Sequence, residues 1–180
     1  MQAADEQQLI LRAKEQDAGA FRTLVERYMR QTYNVAYNLV RNHEDAEDVS
    51  QEAFVRIYRS LDTFRGDAEF STWIHRITVN VALDRIKQRT TKEKRELRNI
   101  DMVEPVFTQS GENADVTMHI ERALHELPTL QRAVVILRHI NGLSTKKVGE
   151  ILQCSEGTVK THLHRGLKKM KVSLLFLKEE

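Results

Sequence analysis

The apolar residues of this chain recur at steps of three and four almost throughout, except over one stretch of 29 residues, where the pattern fails. Phe21, Leu24, Val25, Tyr28, Thr32, Val35, Ala36 and Leu39 mark one face of a long helix. Asp17 stands where its N-cap belongs. A shorter helix precedes it and turns Leu9, Ile10 and Ala13 inward. Ala46, Val49, Ala53, Phe54, Ile57 and Leu61 form a third stripe, beginning near His43 and ending before Phe64-Arg65-Gly66. Trp73, Ile74, Ile77, Val81 and Ile86 form a fourth, from about Thr72 to Arg89, with Ser71 as the expected cap. No stretch alternates over enough residues for a strand.

Residues 90–118 carry a charge cluster (Lys92-Glu93-Lys94-Arg95-Glu96), then Pro105, Thr108, Ser110, Gly111 and scattered acids. A patternless run of this length inside one compact domain is unusual, so it reads as a linker between domains. From His119 the helical period returns in shorter pieces. Ile120, Ala123, Leu124 and Leu127 lead to Pro128, and Leu130, Ala133, Val134, Leu137 and Ile140 lead to the Asn141-Gly142 turn. Ser144 caps a short helix with Val148, Ile151 and Leu152 inward, and Gln153-Cys154-Ser155 breaks it. Ser155 caps the last helix, with Val159, Leu163, Leu167 and Met170 inward. The expected fold is all-α: two small helical domains, 1–89 and 119–180, joined by a flexible acidic linker, 90–118. The second domain ends in a helix-turn-helix.

Composition removes several classes. No uninterrupted apolar run approaches the roughly 18 residues of a membrane span. Met1 to Gln8 lacks the basic and apolar regions of a signal peptide, and the single cysteine, Cys154, cannot form an internal disulfide. A soluble, cytoplasmic protein is expected. Charge is unevenly spread: residues 1–89 carry a net of −1, residues 90–118 a net of −2 and residues 119–180 a net of +5. A basic end on a balanced chain suits a polyanion.

The last helix shows where that polyanion fits. Lys160, Thr161, His164, Arg165 and Lys168 occupy the faces its apolar stripe leaves over. The second helix of a helix-turn-helix enters the major groove, where Arg and Lys donate to guanine and Thr meets a base edge or a thymine methyl. Ser155, Thr158 and the free amides of the first turn suit a phosphate. Lys168, Lys169 and Lys171 lie further along, where phosphate contacts are expected.

Two features of the first half remain. Asp45, Asp48 and Glu52 share one face of the third helix, with Glu44, Glu47 and Gln51 beside them. Six acidic or amide groups within nine residues exceed what a helix dipole calls for, and they form a surface for a basic partner. His43-Glu44-Asp45 is no metal site, because consecutive side chains diverge on a helix. Asp62 to Trp73 then combines aromatic residues with a polar loop, and the helix after it shows Arg76, Asn80 and Lys87. Such a surface suits unpaired DNA. Phe64, Phe70 and Trp73 also suit a core, and for at least two of them that is the expected place. No carboxylates or histidines converge in an acid–base arrangement, so neither an enzyme nor a cofactor is expected.

Two sets of residues carry a family resemblance. Leu127-Pro128-Thr129-Leu130-Gln131-Arg132-Ala133-Val134, Asn141-Gly142-Leu143-Ser144 and Glu156-Gly157-Thr158-Val159-Lys160-Thr161-His162 resemble the C-terminal promoter-reading domain of bacterial sigma factors. Asp45 to Phe54, Phe64-Arg65-Gly66 and Phe70-Ser71-Thr72-Trp73 resemble their N-terminal domain. Both sets stand in family order, as in the extracytoplasmic-function group. The resemblance implies a promoter-specificity subunit of bacterial RNA polymerase. It implies that Asp45, Asp48, Gln51 and Glu52 dock on a coiled coil of the largest core subunit. Phe64, Arg65, Gly66, Asp67, Ala68, Glu69, Phe70 and Ser71, with Arg76 and Asn80, would capture a flipped base of the −10 element. The recognition helix would read the −35 element with Lys160, Thr161, His164 and Arg165, and Ser155, Glu156, Thr158, Lys168 and Lys169 are expected to bind the same DNA. The linker would thread the RNA-exit path, and an anti-sigma factor is an expected partner. The rival is a stand-alone helix-turn-helix regulator, which leaves the acidic helix and the aromatic loop unexplained.

Overall fold

The computed structural model describes residues 2–96 and 114–175. Every regular element among them is helical, as expected. The remainder of the expected linker, residues 97–113, lies outside the described residues. The described residues fall into two compact units, the first running to Ile86 and the second taking the residues from Lys87 on except Glu150–Leu152, which group with the first.

The first unit is built from α1 (Gln2–Lys14), α2 (Ala18–Val40), α3 (His43–Ser60) and the part of α4 (Phe70–Glu96) up to Ile86. Asp17 caps α2, its carboxylate accepting from the Ala20 amide at 2.9 Å. Arg12 braces the same carboxylate at 2.7 Å. The Ala20 amide and the Arg12 guanidinium both hold the Asp17 carboxyl below its ordinary pKa. Asn42 caps α3 through the Asp45 amide at 2.9 Å. The core gathers Ile10, Ala13, Leu24, Tyr28, Ile57, Leu61, Phe70, Trp73 and Ile74. These residues come from all four helices and lie where the apolar periodicity points. Tyr28 is buried, and its hydroxyl donates to Glu6, while Arg27 pairs with Asp5 at 2.7 Å. The two contacts fasten α1 to α2. Burial and the Glu6 carboxylate push the Tyr28 phenol up.

Two expectations for α4 change. Ser71 is not the cap, because the helix already begins at Phe70. Its hydroxyl donates to the Glu69 carboxylate at 3.2 Å. The helix also continues past Arg89 to Glu96. Residues 92–96 are Lys, Glu and Arg, good helix formers that extend a helix without an apolar stripe to announce it.

The second unit holds α5 (Ala114–His125), α6 (Thr129–Val135), most of α7 (Thr145–Leu152) and α8 (Glu156–Ser173). α6 runs on through a π-helical turn, Ile136–Ile140. Arg132 is buried within this unit, where its guanidinium meets His125 Nδ1 at 3.1 Å. Ser144 and Ser155 cap α7 and α8 as expected, accepting from the Lys147 and Thr158 amides at 3.1 Å each. α6 and α8 cross at Gly166, where an added Cβ would come within 2.9 Å of Val135 Cγ2. Gly166, and not Leu167, therefore lies in the contact, and Leu167 is 40% exposed. Ile120, Leu130 and Ile140, also expected inward, are exposed. For Ile140 the cause is the π turn: the Asn141 amide donates to Ile136 five residues back, and the extra residue turns the end of the helix out of phase.

Candidate nucleic-acid and protein interfaces

α7, a turn and α8 form the expected helix-turn-helix. The turn is tight because Gln153 takes a left-handed conformation (φ 52°) and the Cys154 amide donates to the Gly149 carbonyl at 3.0 Å. Lys160, Thr161, His164, Arg165, Lys168 and Lys169 are all exposed along α8, as are Ser155, Glu156 and Thr158 at its start. Three hydroxyls are already engaged. Ser155 Oγ is the helix cap and also lies 2.9 Å from Thr158 Oγ1. Thr161 donates its proton to the Gly157 carbonyl at 2.9 Å, leaving an acceptor and a methyl group for a base. The basic residues divide into two sets. Arg165, Lys168 and Lys169 border a groove of about 680 Å³ with Ala123, Leu127 and Val172. Lys160, Thr161 and His164 do not line it.

The loop before α4 is pinned from below. Phe64 is half-buried, with ring centroids 5.1 Å from Phe70 and 5.3 Å from Trp73. Lys14 donates to the Phe64 carbonyl at 2.6 Å. Phe70 is 3% exposed and offers no surface to a base. This corrects its place among the DNA-contacting residues: Phe70 supports the loop. Beyond Phe64 the loop is open, with Arg65, Gly66, Asp67 and Glu69 exposed and Ala68 and Ser71 partly so. Gly66 sits at φ 83°, a backbone conformation that side-chain-bearing residues rarely adopt. Nearly two turns into α4, Arg76 is partly exposed, and Asn80, one turn further on, is exposed.

The acidic helix is the surface where the sequence reading missed most. Arg85 of α4 reaches across to α3 with two nitrogens: Nε meets Asp45 at 2.7 Å and a terminal nitrogen meets Asp48 at 2.8 Å. Asp45 and Asp48 together raise the Arg85 pKa. Arg56 pairs with Glu52 at 2.8 Å and lies 3.8 Å from Asp84. Gln51 is exposed on the same helix, beside the exposed apolar residues Val55 and Tyr58. Arg85 follows Arg76 by nine residues, which at about 100° per residue places them on opposite sides of α4. One helix thus separates the acidic surface from the loop surface. His43, at the start of α3, meets the Tyr33 hydroxyl at 2.7 Å through Nδ1 and stacks on Tyr37. Among the described residues no three His, Cys, Asp or Glu side chains gather as a metal site.

These surfaces coincide with two family profiles: Sigma-70 region 2 matches residues 24–91 and Sigma-70, region 4 matches residues 117–170. The ECF RNA polymerase sigma factor SigW of Bacillus subtilis is 32% identical over 176 residues, covering 92% of this chain and 94% of its own. The chain belongs to the sigma-70 family, in its extracytoplasmic-function group. The sigma-E factor of Escherichia coli is likewise 32% identical, with 89% of each chain covered. Among solved structures, CnrH in complex with the cytosolic domain of CnrY matches with a TM-score of 0.65 at 24% identity, covering 92% of this chain and 94% of that one. RpoE from Bartonella quintana, in complex with the anti-sigma factor NepR, matches with a TM-score of 0.65 at 21% identity, covering 86% and 96%. Both show the fold. A sigma factor is a promoter-specificity subunit, and this removes the stand-alone regulator as a reading. The family is not an enzymatic one. Among the described residues no helix is long and apolar enough to cross a membrane.

Proposed function

We propose that this sigma factor divides its work among three surfaces, within domains spanning residues 1–89 and 119–180 and a linker of residues 90–118. α3 docks on a coiled coil of the largest polymerase subunit through Asp48, Gln51 and Glu52, with Asp45 beside them. The loop from Phe64 to Glu69, with Ser71, Arg76 and Asn80 of α4 and with Phe70 supporting it from the core, holds a flipped −10 base. α8 reads the −35 element with Lys160, Thr161 and His164, while Arg165, Lys168 and Lys169 follow the phosphates. The protein acts in the cytoplasm and has an anti-sigma factor as a partner, a reading supported by the complex of RpoE with the anti-sigma factor NepR. The observation that carries the reading is that the acids of α3 and the polar loop lie on opposite sides of α4. Polymerase and melted DNA can therefore be held together without competing for one surface. Charge reversal at Asp48 and Glu52 tests it. The variant is expected to lose co-purification with core polymerase while its far-ultraviolet circular dichroism stays unchanged. Retained co-purification would remove the docking assignment.

A further inference from the structure

The five acids between Glu44 and Glu52 are not equivalent. The Asp45 side chain is only 17% exposed and holds Nε of Arg85 at 2.7 Å. The Asp48 side chain is 62% exposed and shares the same guanidinium at 2.8 Å. Glu52 is matched by Arg56 on its own helix. Glu44 and Glu47 are exposed and form no ion pair with the described residues. We infer that Arg85 is an internal counter-ion that competes with the basic partner of α3 for Asp48, and that Asp45 is its anchor and not a contact residue. The inference rests on α3 being the polymerase-docking surface.

The geometry makes such an exchange simple. Arg85 uses separate nitrogens for its two carboxylates, so it can release Asp48 while keeping Asp45. An exposed pair of this kind is weak, whereas a partner's cation brought up to Asp48 inside a drying interface is held more strongly. Glu44 and Glu47 supply the unmatched field that draws the cation in, and their place on the outer side of α3 lets them act first. Arg85 opposes that field, so it slows encounter and weakens the complex. Its presence makes the acidic helix less attractive to any basic surface other than one shaped to displace it.

The test uses the full-length protein and core polymerase, with affinity and association rate measured over a series of salt concentrations. Arg85→Gln should bind about two- to five-fold more tightly, the range set by an exposed ion pair. It should also associate faster and show a steeper salt dependence. Arg85→Lys, which keeps the charge, should stay near the parent. In an Asp48→Asn background the gain in affinity from Arg85→Gln should shrink to the small part due to the field of Glu44 and Glu47, and Asp45→Asn should weaken docking less than Asp48→Asn does. Should Arg85→Gln fold poorly, the Asp45→Asn and Asp48→Asn comparison decides alone. If Asp48→Asn weakens docking and Arg85→Gln weakens it or leaves it unchanged, Arg85 positions the acids and the competition is wrong. If Asp48→Asn has no effect on docking, the docking surface itself is wrong.

Discussion

The carbonyl oxygen of Cys154 stands 2.8 Å from the point that a Cβ on Gly149 would occupy. The helix-turn-helix closes over that hydrogen-only position, and the atom facing it is backbone, which cannot swing aside. Gly149→Ala should therefore destabilise the second unit by about 1–3 kcal/mol, the usual range for overpacking a tight site. It should also weaken binding to −35 duplex. Cys154→Ala and Cys154→Ser should change neither, because Cys154 contributes its carbonyl to the turn. Thermal unfolding together with duplex binding separates the outcomes; a Gly149→Ala protein that matches the parent in both would contradict the packing argument.

Along α8 the two sets of residues should give two kinds of variant. Lys160→Ala should cost about 1–3 kcal/mol at one base pair of the −35 element. Thr161→Val keeps a methyl group and should retain a preference for thymine at its position. Lys169→Ala should weaken all sequences alike and lower the salt dependence. Binding to a panel of single-base substitutions, read at two salt concentrations, checks the sorting. Identical sequence profiles for Lys160→Ala and Lys169→Ala would show that it is mistaken.

Tyr28→Phe removes the hydroxyl that ties α2 to Glu6. A hydrogen bond to a charged group is worth about 1.5–3 kcal/mol, so the variant should be less stable by that order near neutral pH. Because the Tyr28 phenol is raised in the folded state, its contribution is complete below the ordinary tyrosine pKa of about 10. It is lost as pH rises through the folded value. The stability gap between parent and variant should accordingly narrow in strong alkali. Urea unfolding at pH 8 and above pH 11 tests this, and a gap that widened with pH would reverse the assigned sign.

Asn80 is exposed on α4, on the side away from the acidic helix, and offers a donor and an acceptor suited to a base edge. Flipping a base costs a few kcal/mol, and a loop pocket with such a side chain beside it can offset part of that. Asn80→Ala should reduce permanganate reactivity of −10 thymines on duplex promoter, with a smaller defect on a template already mismatched there. Normal melting with impaired duplex binding would assign this surface to closed-complex recognition.

Local rules make much of this legible. Asp17, Ser144 and Ser155 are readable as caps because a cap acts on an amide three residues away, and the buried stripes of α2 and α3 come from period alone. The features that escape a sequence reading depend on distance or on phase. Arg85 is 40 residues from Asp45 and 37 from Asp48, and nothing local to either residue announces the pairing. Leu167 reads as inward because no period shows that two helices cross at Gly166. Ile140 reads as inward because a π turn leaves the composition of a helix unchanged while shifting its face. At the candidate sites, sequence spacing locates the loop and α8 but does not separate support from contact: Phe70 is core, and Thr161 has already given its proton to the backbone.

The most direct test of the whole account is transcription in vitro from a promoter library, with core polymerase alone and with the full-length protein added. Starts are expected at a defined class of promoters sharing a −35 and a −10 element, seen only with core and protein together. These starts should disappear with charge reversal at Asp48 and Glu52. Unchanged start sites on adding the protein, or promoter-specific starts that survive that charge reversal, would contradict it.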